Sequence, residues 1–172
     1  MIEKTTIRSV LELFFDKPSS EFHLRELSRL SKLSMPTILS ATDVLSKEKL
    51  VIKTKGIVLT KVVANRENIA FVRYKRLYNL EQLYISGLVD YLSNVYNNPR
   101  LIVLFGSYSR GEDIEGSDID IAIMTNKRLR LDFSKYEKIL GRGISIHELD
   151  LNRVSNEFKA NLANGIILEG SW

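Results

Sequence analysis

The sequence contains no cysteine. That excludes a disulfide framework, a thiolate nucleophile and any cysteine-type zinc site, and with them several enzyme classes. No apolar run approaches the roughly 20 residues needed to cross a bilayer. The opening "MIEKTTIRSVLELFF" lacks the charged head, apolar core and small-residue cleavage site of a signal peptide, so the expectation is a soluble, cytoplasmic protein without membrane contact. Repeats and low-complexity tracts are also missing. Net charge is small at +4 but unevenly placed: residues 1–100 carry 16 Lys and Arg against 10 acids, whereas 101–172 carry 9 against 11. A basic front favours a polyanionic partner, and clustered carboxylates behind it favour a metal.

What is present begins with helical periodicity. Ile7, Val10, Leu11 and Phe14 recur at helical spacing before the break "DKPSS". A second helix places Leu24, Leu27, Leu30 and Leu33 on one face, with Arg25, Arg29 and Lys32 outside it. Ser34 then caps a third helix with Pro36 in its first turn and Ile38, Ala41, Thr42 and Leu45 facing inward. The period changes at "LVIKTKGIVLTKVV", which reads as two lysine-studded strands turning at Lys55 and Gly56. Three short helices and a basic hairpin, in that order, resemble a winged helix-turn-helix. Its outward face would show Thr37, Ser40, Asp43, Ser46 and Lys47 to a major groove, with Asp43 opposing phosphate and Lys53, Lys55 and Lys61 on the hairpin as the better backbone contacts. Lysines on an exposed hairpin also guard against edge pairing, and a packing or dimerisation module is the alternative for this part.

From Asn68 to Asn97 the positions Leu77, Leu80, Tyr84, Leu88, Leu92 and Val95 predict one long connecting helix, stopped by Pro99. The last third alternates strands and helices: "LIVLF", a glycine-serine loop, "DIDIAIM", the basic stretch "NKRLRLDFSKYEKIL", "ISIHEL", a helix from Ser155, and "GIILEG". This predicts a small α/β sheet with helices covering one face. Within it, "GSYSRGEDIEGSDIDIAI" puts Asp118 and Asp120 two residues apart at the entrance to an apolar strand. Alternation sends both carboxylates to one face and Ile119, Ile121 and Ile123 to the other. Two carboxylates side by side repel unless water or a cation intervenes, and Mg²⁺ sites that hold substrate phosphates use one or two such groups. Upstream, Gly106 and Ser107 can turn backbone N–H groups toward an anion, and Arg110 adds a guanidinium one turn later. Ser107 is not read as a nucleophile, because no histidine lies near it in sequence. Arg110 has an alternative partner in Glu112, Asp113 or Glu115.

"GS", ten residues, then "DID" resembles the signature of the nucleotidyltransferase superfamily that includes DNA polymerase beta, in particular its minimal prokaryotic members. The resemblance covers roughly residues 99–170. It implies a mixed sheet in which Gly106 and Ser107 hold the β and γ phosphates of an NTP, Arg110 and Ser117 assist, and Asp118 and Asp120 bind two Mg²⁺. It also implies a third carboxylate on a neighbouring strand, for which "ISIHEL" is the candidate. There alternation keeps Ile144, Ile146 and Glu148 together toward the core and puts Ser145, His147 and Leu149 on the site face, so His147 stands where that carboxylate belongs, a position compatible with Mn²⁺.

The expectation is therefore an α/β (α+β) protein: a winged helix-turn-helix over 1–65, a helical connector over 66–98 and a minimal nucleotidyltransferase domain over 99–172. It would transfer AMP from ATP, or another nucleotide from its NTP, to an acceptor hydroxyl. Members of this group resemble antitoxins that adenylylate a partner toxin, so the resemblance implies a protein acceptor; duplex DNA is the expected partner of the front half, and a homodimer is left open. The rival is a DNA-binding regulator whose second domain binds nucleotide without catalysis.

Overall fold

The computed structural model describes residues 5–56, 59–150 and 155–171, leaving aside the side chain of Asn156. The chain divides into two compact units, Met1–Lys75 and Arg76–Trp172. The division falls within helix α4 (Ile69–Ile85).

In the first unit, α1 (Thr6–Asp16) starts where the Thr5 side chain accepts the Arg8 N–H, and it buries Val10, Leu11, Phe14 and Phe15. Ile7 was expected on that face but stays 38% exposed; Phe15, against Phe71 at 5.2 Å between ring centroids, fills the stripe instead. Strand β1 (Glu21–His23) leads directly into α2 (Leu24–Ser31), where only Leu27 is buried and Leu30 is turned outward, contrary to the four-leucine face expected. The third helix, α3 (Met35–Lys47), follows the expectation: Ser34 caps it, Pro36 sits in its first turn, and Ile38, Ala41, Thr42 and Leu45 are buried. Strands β2 (Val51–Lys55) and β3 (Thr60–Ala64) pair antiparallel, with Lys55 opposite Thr60. β1 joins the other edge of β3 to give the order β1-β3-β2.

In the second unit, the single helix expected from 68 to 97 is two. α4 ends at Ile85, Gly87 takes a left-handed conformation (φ 76°), and α5 (Leu88–Val95) starts after it. A long apolar periodicity cannot show such a break, because each half keeps its own phase. Strands β4 (Leu101–Phe105), β5 (Ile119–Met124), β6 (Ile144–Leu149) and β7 (Ile166–Gly170) form one mixed sheet in the order β6-β5-β4-β7, with β5 and β6 parallel. All five residues of β4 are buried, as a central strand covered on both faces requires.

That double cover corrects the expectation of helices on one face only. One face carries Ile102, Leu104, Ile119, Ile121 and Ile123 and packs with Leu88 and Leu92 of α5, Tyr96 just after it, and Tyr136 of α7 (Ser134–Leu140). The opposite face carries Leu101, Val103, Phe105, Ala122 and Met124, and α8 (Asn156–Ala163) lies over it through Phe158 and Leu162. The basic stretch after β5 becomes helical only from Ser134, where Asp132 accepts both the Ser134 N–H and its hydroxyl; these bonds hold the Asp132 carboxyl below the usual range. Among the described residues, no helix is long and apolar enough to cross a membrane.

Candidate active site

Side-chain alternation along β5 decides which carboxylates are available. Ile119, Ile121 and Ile123 enter the core beneath α5 and α7, so Asp120 emerges on the α8 face, with Asp118 just ahead of the strand. Asp118 is exposed and the Asp120 side chain is 31% exposed.

The glycine turn meets them there. β4 ends at Phe105, the chain turns at Gly106 with φ 75°, and the short helix α6 (Gly106–Arg110) begins. A Cβ on Gly106 would lie 2.4 Å from Asp120 Oδ2, so this position requires glycine both for its backbone angle and for space. The first N–H groups of a helix have no partner within it, and this helix starts at the glycine that abuts Asp120. Ser107 is half-buried at the same point. Arg110 is exposed and its Nε donates to Glu112 Oε2 at 2.7 Å, the first of the alternatives weighed for it. With both side chains about half exposed, such a pair contributes ~0–1 kcal/mol and yields readily to a phosphate. The Ser117 hydroxyl accepts the Ile114 N–H at 3.0 Å and closes the turn that delivers Asp118.

His147 comes from the neighbouring strand. The parallel register sets Asp120 beside Ser145 and Ala122 beside His147, so His147 reaches back toward the aspartate. Its Nε2 is 3.6 Å from Asp120 Oδ1 and 3.2 Å from Ser145 Oγ. The ring packs against Phe105 and Phe158, with centroids 5.2 and 6.0 Å away. Glu148 points the other way. Its Oε1 accepts the Tyr96 hydroxyl and the Leu129 N–H, both at 2.7 Å, and Arg128 pairs with its Oε2 at 3.6 Å. Burial, and then the bond to Glu148, push the Tyr96 hydroxyl well above its ordinary pKa, so it stays a proton donor to that carboxylate.

Gly143 has no counterpart in the sequence expectation. A Cβ there would lie 2.4 Å from Asp118 Oδ1, so Asp118 rests on bare backbone as Asp120 rests on Gly106. An open cleft of about 340 Å³ begins beside Asp118, between the 115–118 loop and the 141–143 turn. The signal for that turn was "GRG" ahead of "ISIHEL", a glycine pair that marks a close approach.

The donor chemistry suits a hard divalent cation. Among the described residues no three His, Asp or Glu side chains gather closely enough to hold a metal alone. Two carboxylates beside a helix start fit a Mg²⁺ or Mn²⁺ whose remaining ligands are phosphate and water.

In the first unit, Ser40 is exposed, and the half-buried Thr37 shares a 2.7 Å hydrogen bond with Ser34. Lys55 is exposed, whereas the Lys53 side chain is only 12% exposed because its ammonium lies 2.6 Å from Asp43 Oδ1 and 3.3 Å from Thr42 Oγ1.

Comparison with known proteins agrees with the second unit. Residues 87–171 match the family model described as "Polymerase beta, Nucleotidyltransferase". No curated protein and no solved structure matches the chain. The matched segment spans α5, all four strands of the mixed sheet, the glycine turn and both aspartates. Over residues 87–171 the chain is thus similar to the polymerase beta nucleotidyltransferases.

Proposed function

We propose that this domain transfers a nucleoside monophosphate, AMP from ATP in the first instance, to an acceptor hydroxyl with release of pyrophosphate. The observation that carries the reading is the contact of the glycine turn at Gly106 with Asp120, two residues after Asp118, which sets the proposed phosphate-binding turn beside the proposed cation ligands. The acceptor oxygen bonds to the α-phosphorus, the bond from that phosphorus to the bridging oxygen breaks, and the electron pair leaves on pyrophosphate. Gly106, Ser107 and Arg110 hold the triphosphate; Asp118 and Asp120 would hold Mg²⁺ or Mn²⁺, which when bound would neutralise phosphate charge and lower the pKa of the attacking hydroxyl. His147 Nε2 accepts the hydroxyl proton in place of a third carboxylate. A protein side chain, as on a partner toxin, is the proposed acceptor, and the first unit is proposed to be a winged helix that binds duplex DNA.

A second reading rests on a specific observation. Glu148, the acid of β6, offers no third carboxylate to the site face, since it is committed to Tyr96 and Leu129. On that reading the domain binds nucleotide and regulates DNA binding without catalysis. Incubation with α-labelled ATP, Mg²⁺ or Mn²⁺ and a cell lysate separates the two: labelled protein supports transfer, and nucleotide binding without label supports the regulator.

A further inference from the structure

A buried polar network stands behind the aspartates, and the proposed reaction does not touch it. The Asp113 side chain is fully buried and that of Arg142 is 7% exposed. Arg142 Nη2 and Nε donate to Asp113 Oδ2 at 3.3 and 3.4 Å. Asn79 Nδ2 donates to Asp113 Oδ1 at 2.7 Å and to the Tyr108 carbonyl at 2.9 Å. Desolvating a carboxylate and a guanidinium cancels most of their attraction, so such a pair contributes little net stability. Its effect is geometric, because a planar guanidinium fork bound to one carboxylate fixes both distance and orientation.

The segments it joins are those that set Asp118. Asp113 lies in the 111–118 loop, whose last residue is Asp118. Arg142 lies in the 141–143 turn, whose last residue, Gly143, supports the Asp118 carboxylate at a distance that leaves no room for a Cβ. The cleft beside Asp118 runs between the same two segments, and Arg142 lines it. Asn79, from α4, ties the loop to the helical layer.

We infer that Asp113 and Arg142 are positioning residues for Asp118: the pair sets the spacing between loop and turn, and that spacing sets where the Asp118 carboxylate stands relative to Asp120. The inference rests on the reading of Asp118 and Asp120 as the cation-holding pair. Groups that orient a metal's ligands typically change its affinity by about 10–100-fold when altered.

The test is titration calorimetry of Mn²⁺ into the full chain with a saturating non-hydrolysable ATP analogue, with a thermal melt of each variant alongside. Arg142→Lys keeps the charge but loses the fork; Gly143→Ala leaves the buried pair intact and displaces Asp118, the far end of a flexible side chain. Both should lose about 10-fold or more in Mn²⁺ affinity while melting like the wild type. A purely stabilising role would lower the melting midpoint of Arg142→Lys and leave affinity at the wild-type value in both, which overturns the inference while the site reading stands. A wild-type chain that binds no Mn²⁺ with the analogue overturns the site reading and the inference together. Should Arg142→Lys not fold, Asp113→Asn, which keeps the side chain's shape but not the charge that Arg142 binds, takes its place, and unchanged Mn²⁺ affinity in it overturns the inference.

Discussion

Four carboxylates of the second unit fall into two pairs with opposite surroundings. Asp113 and Glu148 are consumed by the fold: one is bound by Arg142 and Asn79, the other by Tyr96, Leu129 and Arg128. Among the described residues Asp118 and Asp120 meet nothing of comparable strength; the former is exposed and the latter has His147 at 3.6 Å. Asp113 lies in the loop that ends at Asp118, and Glu148 adjoins His147 on β6, so neighbourhood in sequence does not separate the two pairs. What separates them is whether the protein supplies the counter-charge or leaves it to be supplied from outside. A fold that pairs Asp113 and Glu148 so fully can satisfy acids in this region, and the exposure of the other two is in keeping with the proposed cation site.

The strongest way to break the comparison is to neutralise the open pair. Asp118→Asn with Asp120→Asn should abolish metal-dependent ATP binding and transfer, while the melting point holds or rises slightly, since only mutual repulsion is lost and such surface changes stay within about 0.5 kcal/mol. Unchanged metal-nucleotide affinity by calorimetry would remove the cation reading. The next effect concerns the neighbours on β6. His147→Ala should cut transfer by about 100-fold or more, the usual contribution of a positioned general base, and His147→Asp should restore or raise the rate with Mg²⁺. Glu148→Ala should do the reverse: transfer stays near the wild-type rate, but the Tyr96 hydroxyl loses its acceptor and the fold loses about 1–3 kcal/mol. If Glu148→Ala removed transfer and His147→Ala did not, the register at β6 would differ in the active state. Smaller again is Ser107→Ala with Arg110→Ala, which should weaken ATP about 10-fold while leaving adenosine binding unchanged, because both side chains are proposed to meet phosphate only.

The sequence made the open pair legible and the consumed pair illegible, for a physical reason. Asp118 and Asp120 sit in a period-2 strand behind a glycine-serine turn, and period and turn chemistry are local properties that residues announce by spacing. The same alternation put His147 on the site face and Glu148 with Ile144 and Ile146. Asp113 gave no such sign, because its partners lie 29 and 34 residues away, on Arg142 and Asn79. Long-range pairing also explains the other misses. A helix over the second face of the sheet, the break at Gly87 and the three-residue strand at Glu21–His23 all depend on what the chain packs against rather than on its own pattern.

The same contrast, charges spent against charges left open, recurs in the first unit between two lysines, and there it gives the smallest effect. Lys55 is exposed at the end of β2, whereas Lys53 binds Asp43 and Thr42 on α3. If this unit binds duplex DNA as proposed, Lys55→Ala should weaken all sequences alike and lower the slope of log affinity against log salt by about one. Lys53→Ala should also weaken binding, but by a different route: it uncovers the Asp43 carboxylate, 70% exposed, on the helix face proposed to approach phosphate. Asp43→Ala added to Lys53→Ala should therefore recover most of the loss, because the pair is neutral together, while Asp43→Ala added to Lys55→Ala should give independent effects that sum. Gel shifts on random-sequence duplex at low salt read both cycles. Equal recovery in the two backgrounds would mean that Lys53 leaves Asp43 to meet phosphate directly, and that on DNA the two lysines act alike.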